Sequence, residues 1–351
     1  MSAPVAAHVA SRPTVLAVER GRRARQRRTV IATAVLGLVT LALLATSLML
    51  GRAFVPIDDV LRVVLGQQVP GASFDVGMQR LPRALTGLAA GFAFGVAGAT
   101  FQTMFRNPLA SPDFIGITAG SSAAAVFALL VLHLDGVGVT VAALVAGVAT
   151  AALVTLLARG GGAAGARFVL IGIGVGAALD AFVFWVLLRS DPYDVPAAMR
   201  WLTGSLSTPR WEEVRLVGIA VLVLLPLVLW LARSLRVLKL GNETALALGE
   251  RVGVKRGALA IAAVALTACA TATTGPIAFV AFLAGPISGA IAGRGRLVAA
   301  GFVGASLVLA ADLVGQLAFD TRFPVGVVTG IVGVPFLLFQ LVRIQRKGAA
   351  S

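Results

Sequence analysis

An all-α, polytopic membrane protein with about ten transmembrane helices and both termini in the cytoplasm is what this sequence predicts. Three observations carry that expectation: the composition, the length of the uncharged runs, and the placement of the arginines. Of 351 residues, 58% are hydrophobic and only 13% are charged, against about 25% charged in a soluble domain. The charges gather in short clusters between apolar runs. Each run supplies the ~20 helical residues needed to cross ~30 Å of hydrocarbon, which excludes a soluble enzyme. A transmembrane β-barrel would alternate lipid-facing and lumen-facing residues over strands of about 10. Residues 29–51 are instead apolar on every face, so the spans are helices.

Taken in order, residues 1–28 hold seven arginines and too few apolar residues for a core, and read as a disordered basic cytoplasmic arm. The run 29–51 is 23 residues long. It exceeds the 7–15 of a signal-peptide core and reads as a retained first span. Further runs occupy 84–105, 114–134, 137–158, 168–188, 216–232, 257–293, 297–317 and 323–342. The 37 residues of 257–293 would make a helix of about 55 Å, too long for one crossing. Gly275-Pro276 near its middle is a natural break, because proline removes a helical hydrogen bond. Splitting there gives ten spans within a domain at 29–345.

An even number of spans puts both termini on one side, and the basic residues choose which. The loops on the side of the termini hold 21 of the 30 lysines and arginines and the opposite loops nine. By the positive-inside rule the termini are cytoplasmic, and the segments 52–80 and 189–214 face outward. The net charge of +15 therefore flanks membrane spans and points to lipid, not nucleic acid.

The motifs remove several chemistries. None of the three lysines follows a glycine, so no phosphate-cradling GxxxxGK[ST] loop exists and the chain has no P-loop ATPase of its own. Gly172, Gly174 and Gly176 lie in an apolar span with no preceding strand, which is the wrong setting for a dinucleotide loop. Cys269 is the sole cysteine, and His8 and His133 sit in the basic arm and at a helix end, so neither a disulfide nor a metal cluster is expected. No cofactor is predicted. Gly87, Gly91 and Gly95, with Gly172 and Gly176 and with Gly289 and Gly293, have the four-residue spacing that lets helices pack closely. They read either as dense packing inside one bundle or as a dimer contact. Gly160, Gly161 and Gly162 form a turn that is either a connector or a moving gate.

Charges within spans are costly and usually functional, and only Asp180 and Asp312 qualify. Asp312 lies near the outer end of its span and reads as a satisfied structural acid. Asp180 lies near mid-span, where pairing and a place on a substrate path are both open. The segment 233–256 is too polar to insert and too apolar for a simple linker. A short helix ending at Gly249 would offer Ala245, Leu246 and Leu248 either to a partner or to the lipid surface.

Four ordered blocks resemble the FecCD family of permeases of ATP-binding-cassette (ABC) importers, which carry iron-siderophore complexes, haem and cobalamin. The first runs from Arg80-Leu-Pro-Arg83 through Gly98 and Gln102 to Arg106-Asn-Pro-Leu-Ala-Ser-Pro112. The second is Ala245-Leu-Ala-Leu-Gly249 with Val252-Gly253, and the third is Gly275-Pro-Ile-Ala-Phe-Val280 with Gly285-Pro286. The fourth is Ala311-Asp312 with Phe323-Pro-Val-Gly326 and Gly333-x-Pro335-Phe336. The resemblance implies a ten-helix subunit of a bacterial inner-membrane importer, paired with a second permease copy or homologue. It also implies two separate ABC ATPase subunits inside and a substrate-binding protein outside.

The resemblance further implies roles. Residues 236–256, with Ala245, Leu246, Leu248, Gly249, Val252 and Gly253, would couple to the ATPase. Arg80 and Arg83 would dock the binding protein. Asp180 and Gln102 would border the path. Three departures stand out: Ser288-Gly289-Ala290 replaces a histidine and basic pair common in the family, Gln316 stands for an arginine, and Arg322 stands for an acid. Arg322 is close enough in sequence to supply a substitute docking charge. A ferric siderophore is the expected substrate, with haem or cobalamin within the same family, or an ion-coupled carrier, as alternatives.

Overall fold

The computed structural model describes residues 12–51, 53–112, 116–158, 164–207, 210–233, 252–293 and 295–348. Twelve α-helices occupy them. These are α1 (Arg12–Met49), α2 (Ile57–Val64), α3 (Leu81–Phe105), α4 (Ile117–Leu130), α5 (Val137–Leu157), α6 (Ala164–Arg189), α7 (Val195–Leu202) and α8 (Trp211–Leu231). After the undescribed 234–251 come α9 (Val252–Thr274), α10 (Val280–Ile291), α11 (Leu297–Leu317) and α12 (Val325–Gly348). Eight are long and apolar enough to cross a membrane, and the shorter α4 and α10 are apolar too. The ten coincide with the ten expected runs, and the split of 257–293 falls where it was expected. The helix breaks after Thr274, with Gly275 at φ 68° and Phe279 at φ 64° turning the chain into α10.

Two parts of the basic and outer segments differ from expectation. α1 begins at Arg12, so from there the arm expected to be disordered is helical. Arginine, alanine, glutamine and glutamate are good helix formers, and extending an existing span needs no new nucleus. The segment 52–80 carries α2, whose Val60 packs into a small cluster with Leu48, Val55, Ala72, Val76 and Ala84. A π-helical turn, Asp75–Arg80, then runs directly into α3. Pro82 lacks the amide that a continuous α-helix would aim at residue 78, and the backbone widens, with the Leu81 amide bonding the Val76 carbonyl five residues back.

α3 is the axis of the bundle, buried along most of its length and packed on α1, α8, α9, α10 and α11. Its closest neighbour is the antiparallel α11, and the reason is the glycine stripe. A Cβ on Gly91 would stand 2.7 Å from the Gly304 carbonyl oxygen and 2.8 Å from the Ala305 Cα. One on Gly95 would run into the Ala300 carbonyl, and one on Gly87 would come within 2.9 Å of Leu206 Cδ1. Gly98 serves α10 in the same way against Ala281. The GxxxG pattern of α3 is therefore dense packing within the bundle. α1 closes on the outer face of α11, where Thr40 Oγ1 bonds the Phe302 carbonyl at 3.2 Å and lies 2.9 Å from Ser306 Oγ. The helices α1, α6, α8 and α12 leave broad apolar faces uncovered, as lipid contact or a second subunit requires.

Candidate docking and translocation sites

The packing register of α3 and α11 builds the first site. Gly95 meets Ala300 and Gly301, Gly91 meets Gly304 and Ala305, and Gly87 meets Val308 and Leu309. One more step of four on each helix brings Arg83 opposite Asp312 at the upper end of the bundle, where α3 begins. Arg83 Nη2 donates to Asp312 Oδ1 at 2.7 Å and Nε to Oδ2 at 2.9 Å, a two-pronged ion pair. Asp312 is 3% exposed, and Gln316, one turn on, donates to its Oδ2 at 2.8 Å. The acid is thus satisfied, and Gln316 takes a defined place beside it.

Arg80 has a different task. Its Nη1 donates to the carbonyls of Leu48 (3.0 Å) and Met49 (2.8 Å), and its Nη2 donates to that of Ala53 (2.7 Å) and to the Asp75 carboxylate. It is 7% exposed. The guanidinium ties the end of α1 to the start of α3, bonding two carbonyls of the last turn of α1 that the helical ladder does not use. Arg80, expected to reach out to a partner, is thus buried, with both Nη groups bonded inside the chain. Arg83 is likewise held by Asp312. Of the three arginines expected to dock, only Arg322 is exposed. It borders a depression of about 170 Å³ with Asp75, Arg80, Arg83 and Gln316.

At the lower end, α3, α10 and α12 enclose a cavity of about 610 Å³. Gln102 lies on its wall, its Nε2 donating to the Phe282 carbonyl at 2.9 Å. Gly285 makes room for it, since a Cβ there would collide with Oε1. Thr103, Arg106, Ser288, Gln340 and Arg343 complete the polar lining. Arg106 ends α3 in a left-handed conformation, φ 53°, uncommon for a residue other than glycine. Ser288 and Gly289, the neutral residues where the family pattern carries histidine and basic groups, face this same cavity.

Asp180 does not line it. The carboxylate sits on an exposed face of α6, within the otherwise uncharged stretch between Arg167 and Arg189, and has no ion pair among the described residues. Gln102 and Asp180, both expected on one path, are on separate surfaces of the single subunit. Ala245, Leu246, Leu248 and Gly249, expected to couple to an ATPase, and Gly160, Gly161 and Gly162, expected to form a connector or a gate, lie outside the described residues. Val252 and Gly253 open α9.

The Arg83–Asp312 pairing was not anticipated, although its signal was present. Positions 83, 87, 91 and 95 share one helix face, and so do 300, 304, 308 and 312. The Arg80 role had no such signal, because three of its four partners are backbone carbonyls at and after the end of α1, which no side-chain pattern declares.

Known proteins place this architecture. The model of the FecCD transport family matches residues 38–343. The ferric enterobactin transport system permease protein FepG of Escherichia coli (strain K12) is 37% identical over 300 residues, covering 85% of this chain and 91% of that protein. The achromobactin transport system permease protein CbrC of Dickeya dadantii (strain 3937) is 39% identical over 344 residues, 94% of this chain and 97% of its own. Among solved structures, an ABC transporter of metal-chelate type in an inward-facing conformation superimposes with a TM-score of 0.78 at 26% identity, covering 90% of this chain and 99% of that one. Ten apolar helices in this order, matched along nearly their full length, make the chain a multi-pass membrane protein of the FecCD transport family.

Proposed function

We propose that this chain is the transmembrane permease subunit of an ABC importer for ferric siderophore complexes, sited in a bacterial cytoplasmic membrane. The observation that carries the substrate class is the pair of relatives above, named for ferric enterobactin and achromobactin transport and both aligned over at least 85% of this chain. The arginine distribution supports cytoplasmic termini, with the Arg83–Asp312 end outward and the Gln102 cavity inward. The sequence holds no phosphate-binding loop, so ATP energy enters from two separate ATPase subunits through a cytoplasmic contact. Residues 236–256 are the longest inner segment joining two spans and supply that contact, with Gly249 among the coupling residues, and Gly160, Gly161 and Gly162 act as a gate.

Asp180 supports pairing with a second permease subunit. A carboxylate exposed in mid-span cannot stay against hydrocarbon and needs water or protein. Bringing the α6 faces of two subunits together would give it an aqueous path, along which the substrate moves by alternating access without any covalent step. On the outer side, an extracytoplasmic binding protein docks on Arg322. Arg80 and Arg83 position that surface from beneath instead of touching the partner.

The test is uptake of ⁵⁵Fe-labelled siderophores into proteoliposomes holding this permease, its co-expressed ATPase and its binding protein. Accumulation that requires internal ATP and survives collapse of the proton gradient is expected. Uptake that needs the gradient and ignores ATP would establish an ion-coupled carrier instead, and stimulation by haem or cobalamin alone would move the substrate within the family.

A further inference from the structure

The N-terminal part of α1 has no task in the transport scheme, yet it carries the densest charge in the molecule. Arg20, Arg22, Arg23, Arg25, Arg27 and Arg28 occupy two and a half turns and are all exposed. Two rows one turn apart, Ala24–Arg28–Ala32 and Arg27–Ile31, lie side by side on one helix face. With Ile291 from the end of α10 they form an open hollow of about 450 Å³. Thr29, whose Oγ1 donates to the Ala292 carbonyl at 3.1 Å, fixes α1 against α10 at that point. The hollow is thus two arginines with Ala24 at its rim and three apolar side chains, Ile31, Ala32 and Ile291, below.

Depth decides what fits it. Residues 30–49 of α1 are uncharged and span about 30 Å, the hydrocarbon thickness. Arg27 and Arg28 therefore sit at the level of lipid headgroups, and Ile31, Ala32 and Ile291 at the level where acyl chains begin. We propose that this hollow binds an anionic phospholipid, its phosphate on Arg27 and Arg28 and the start of an acyl chain against Ile31, Ala32 and Ile291. The neighbouring Arg20, Arg22 and Arg25 extend the positive surface along the leaflet. A basic cluster directly beside a span attracts such lipids electrostatically, and the apolar floor separates lipid from a soluble anion.

The test uses the full chain in mild detergent, with native mass spectrometry against dioctanoyl phosphatidylglycerol, dioctanoyl phosphatidylcholine and inorganic phosphate. The glycerol lipid should be retained in preference to the choline lipid, and phosphate at the same concentration should not displace it. Arg27→Gln with Arg28→Gln should lower its retention roughly tenfold; five upstream arginines still hold the topology. Ile291→Gln, which leaves every charge in place, should also weaken it, whereas Arg322→Gln at the opposite end should not. Equal retention of both lipids, or unchanged binding in the double variant with unfolding temperature intact, would refute the site. Displacement by phosphate would make it an anion site without lipid, and protein adducts in place of lipid would make it a partner surface; either overturns the proposal.

Discussion

Gly91→Ala should destabilise the protein even though it adds one methyl group and improves helix propensity. The new Cβ would lie 2.7 Å from the Gly304 carbonyl oxygen and 2.8 Å from the Ala305 Cα. Carbon meets carbonyl oxygen comfortably at about 3.3 Å and carbon at about 3.5 Å or more, so α3 and α11 must separate by roughly 0.6 Å. Both obstructing atoms are backbone, and no side chain can rotate aside. A gap of that size forfeits about a quarter of the dispersion energy of each facing pair, and overpacking in cores typically costs about 1–3 kcal/mol. The upper end applies here, and the propensity gain of about 1 kcal/mol offsets only part of it. A net loss of about 2 kcal/mol is expected.

Gly218→Ala in α8 is the matched control, because nothing lies within 4 Å of its would-be Cβ. It should be neutral or stabilising by up to about 1 kcal/mol. Denaturant or thermal unfolding of the two purified variants in the same detergent reads the difference directly. The separation in Gly91→Ala also loosens Arg83 from Asp312 two turns away, so combining it with Asp312→Ala should cost less than the sum of the two. If Gly91→Ala unfolds with Gly218→Ala, or if the combination is simply additive, the close register of α3 and α11 is wrong.

Asp312→Ala leaves the Arg83 guanidinium half-buried without its carboxylate and should cost about 3–5 kcal/mol in the same unfolding assay; Arg83→Met with Asp312→Leu should recover most of it, and a double variant as unstable as the single one would refute the pairing. Arg322→Glu should reduce binding-protein-stimulated ATP hydrolysis at low salt, with the defect shrinking as salt screens it; unchanged stimulation at low salt would remove Arg322 from the docking surface. Asp180→Asn should insert normally yet slow uptake, and wild-type uptake would place Asp180 off the path. Gly249→Val should insert and bind the outer partner but lose the ATPase subunits on purification, because a β-branched residue resists a left-handed helix cap by about 1–2 kcal/mol; full ATP-driven uptake would return that segment to the lipid surface.

What the sequence declares and what it hides follow from range. Hydrocarbon thickness is a single external ruler, so run length shows nine apolar runs, one of them too long for a single crossing, and the Gly275-Pro276 pair places the break that makes them ten. The helical state of residues 12–28 was missed because composition judges whether a segment can fold by itself, and this one is carried on an adjoining span. The two acids in spans were visible, but their fates differ for reasons a list of residues lacks. Asp312 shares the four-residue step of the glycine stripe, so the packing that brings two backbones together also delivers it to Arg83. Asp180 has no such counterpart among the described residues, and its helix is left open on that face. A subunit that satisfies one intramembrane carboxylate through the close contact of two helices and leaves the other on an uncovered surface has divided them: the first ties α11 to α3, and the second lies open on α6, where the proposed function brings a second subunit or water.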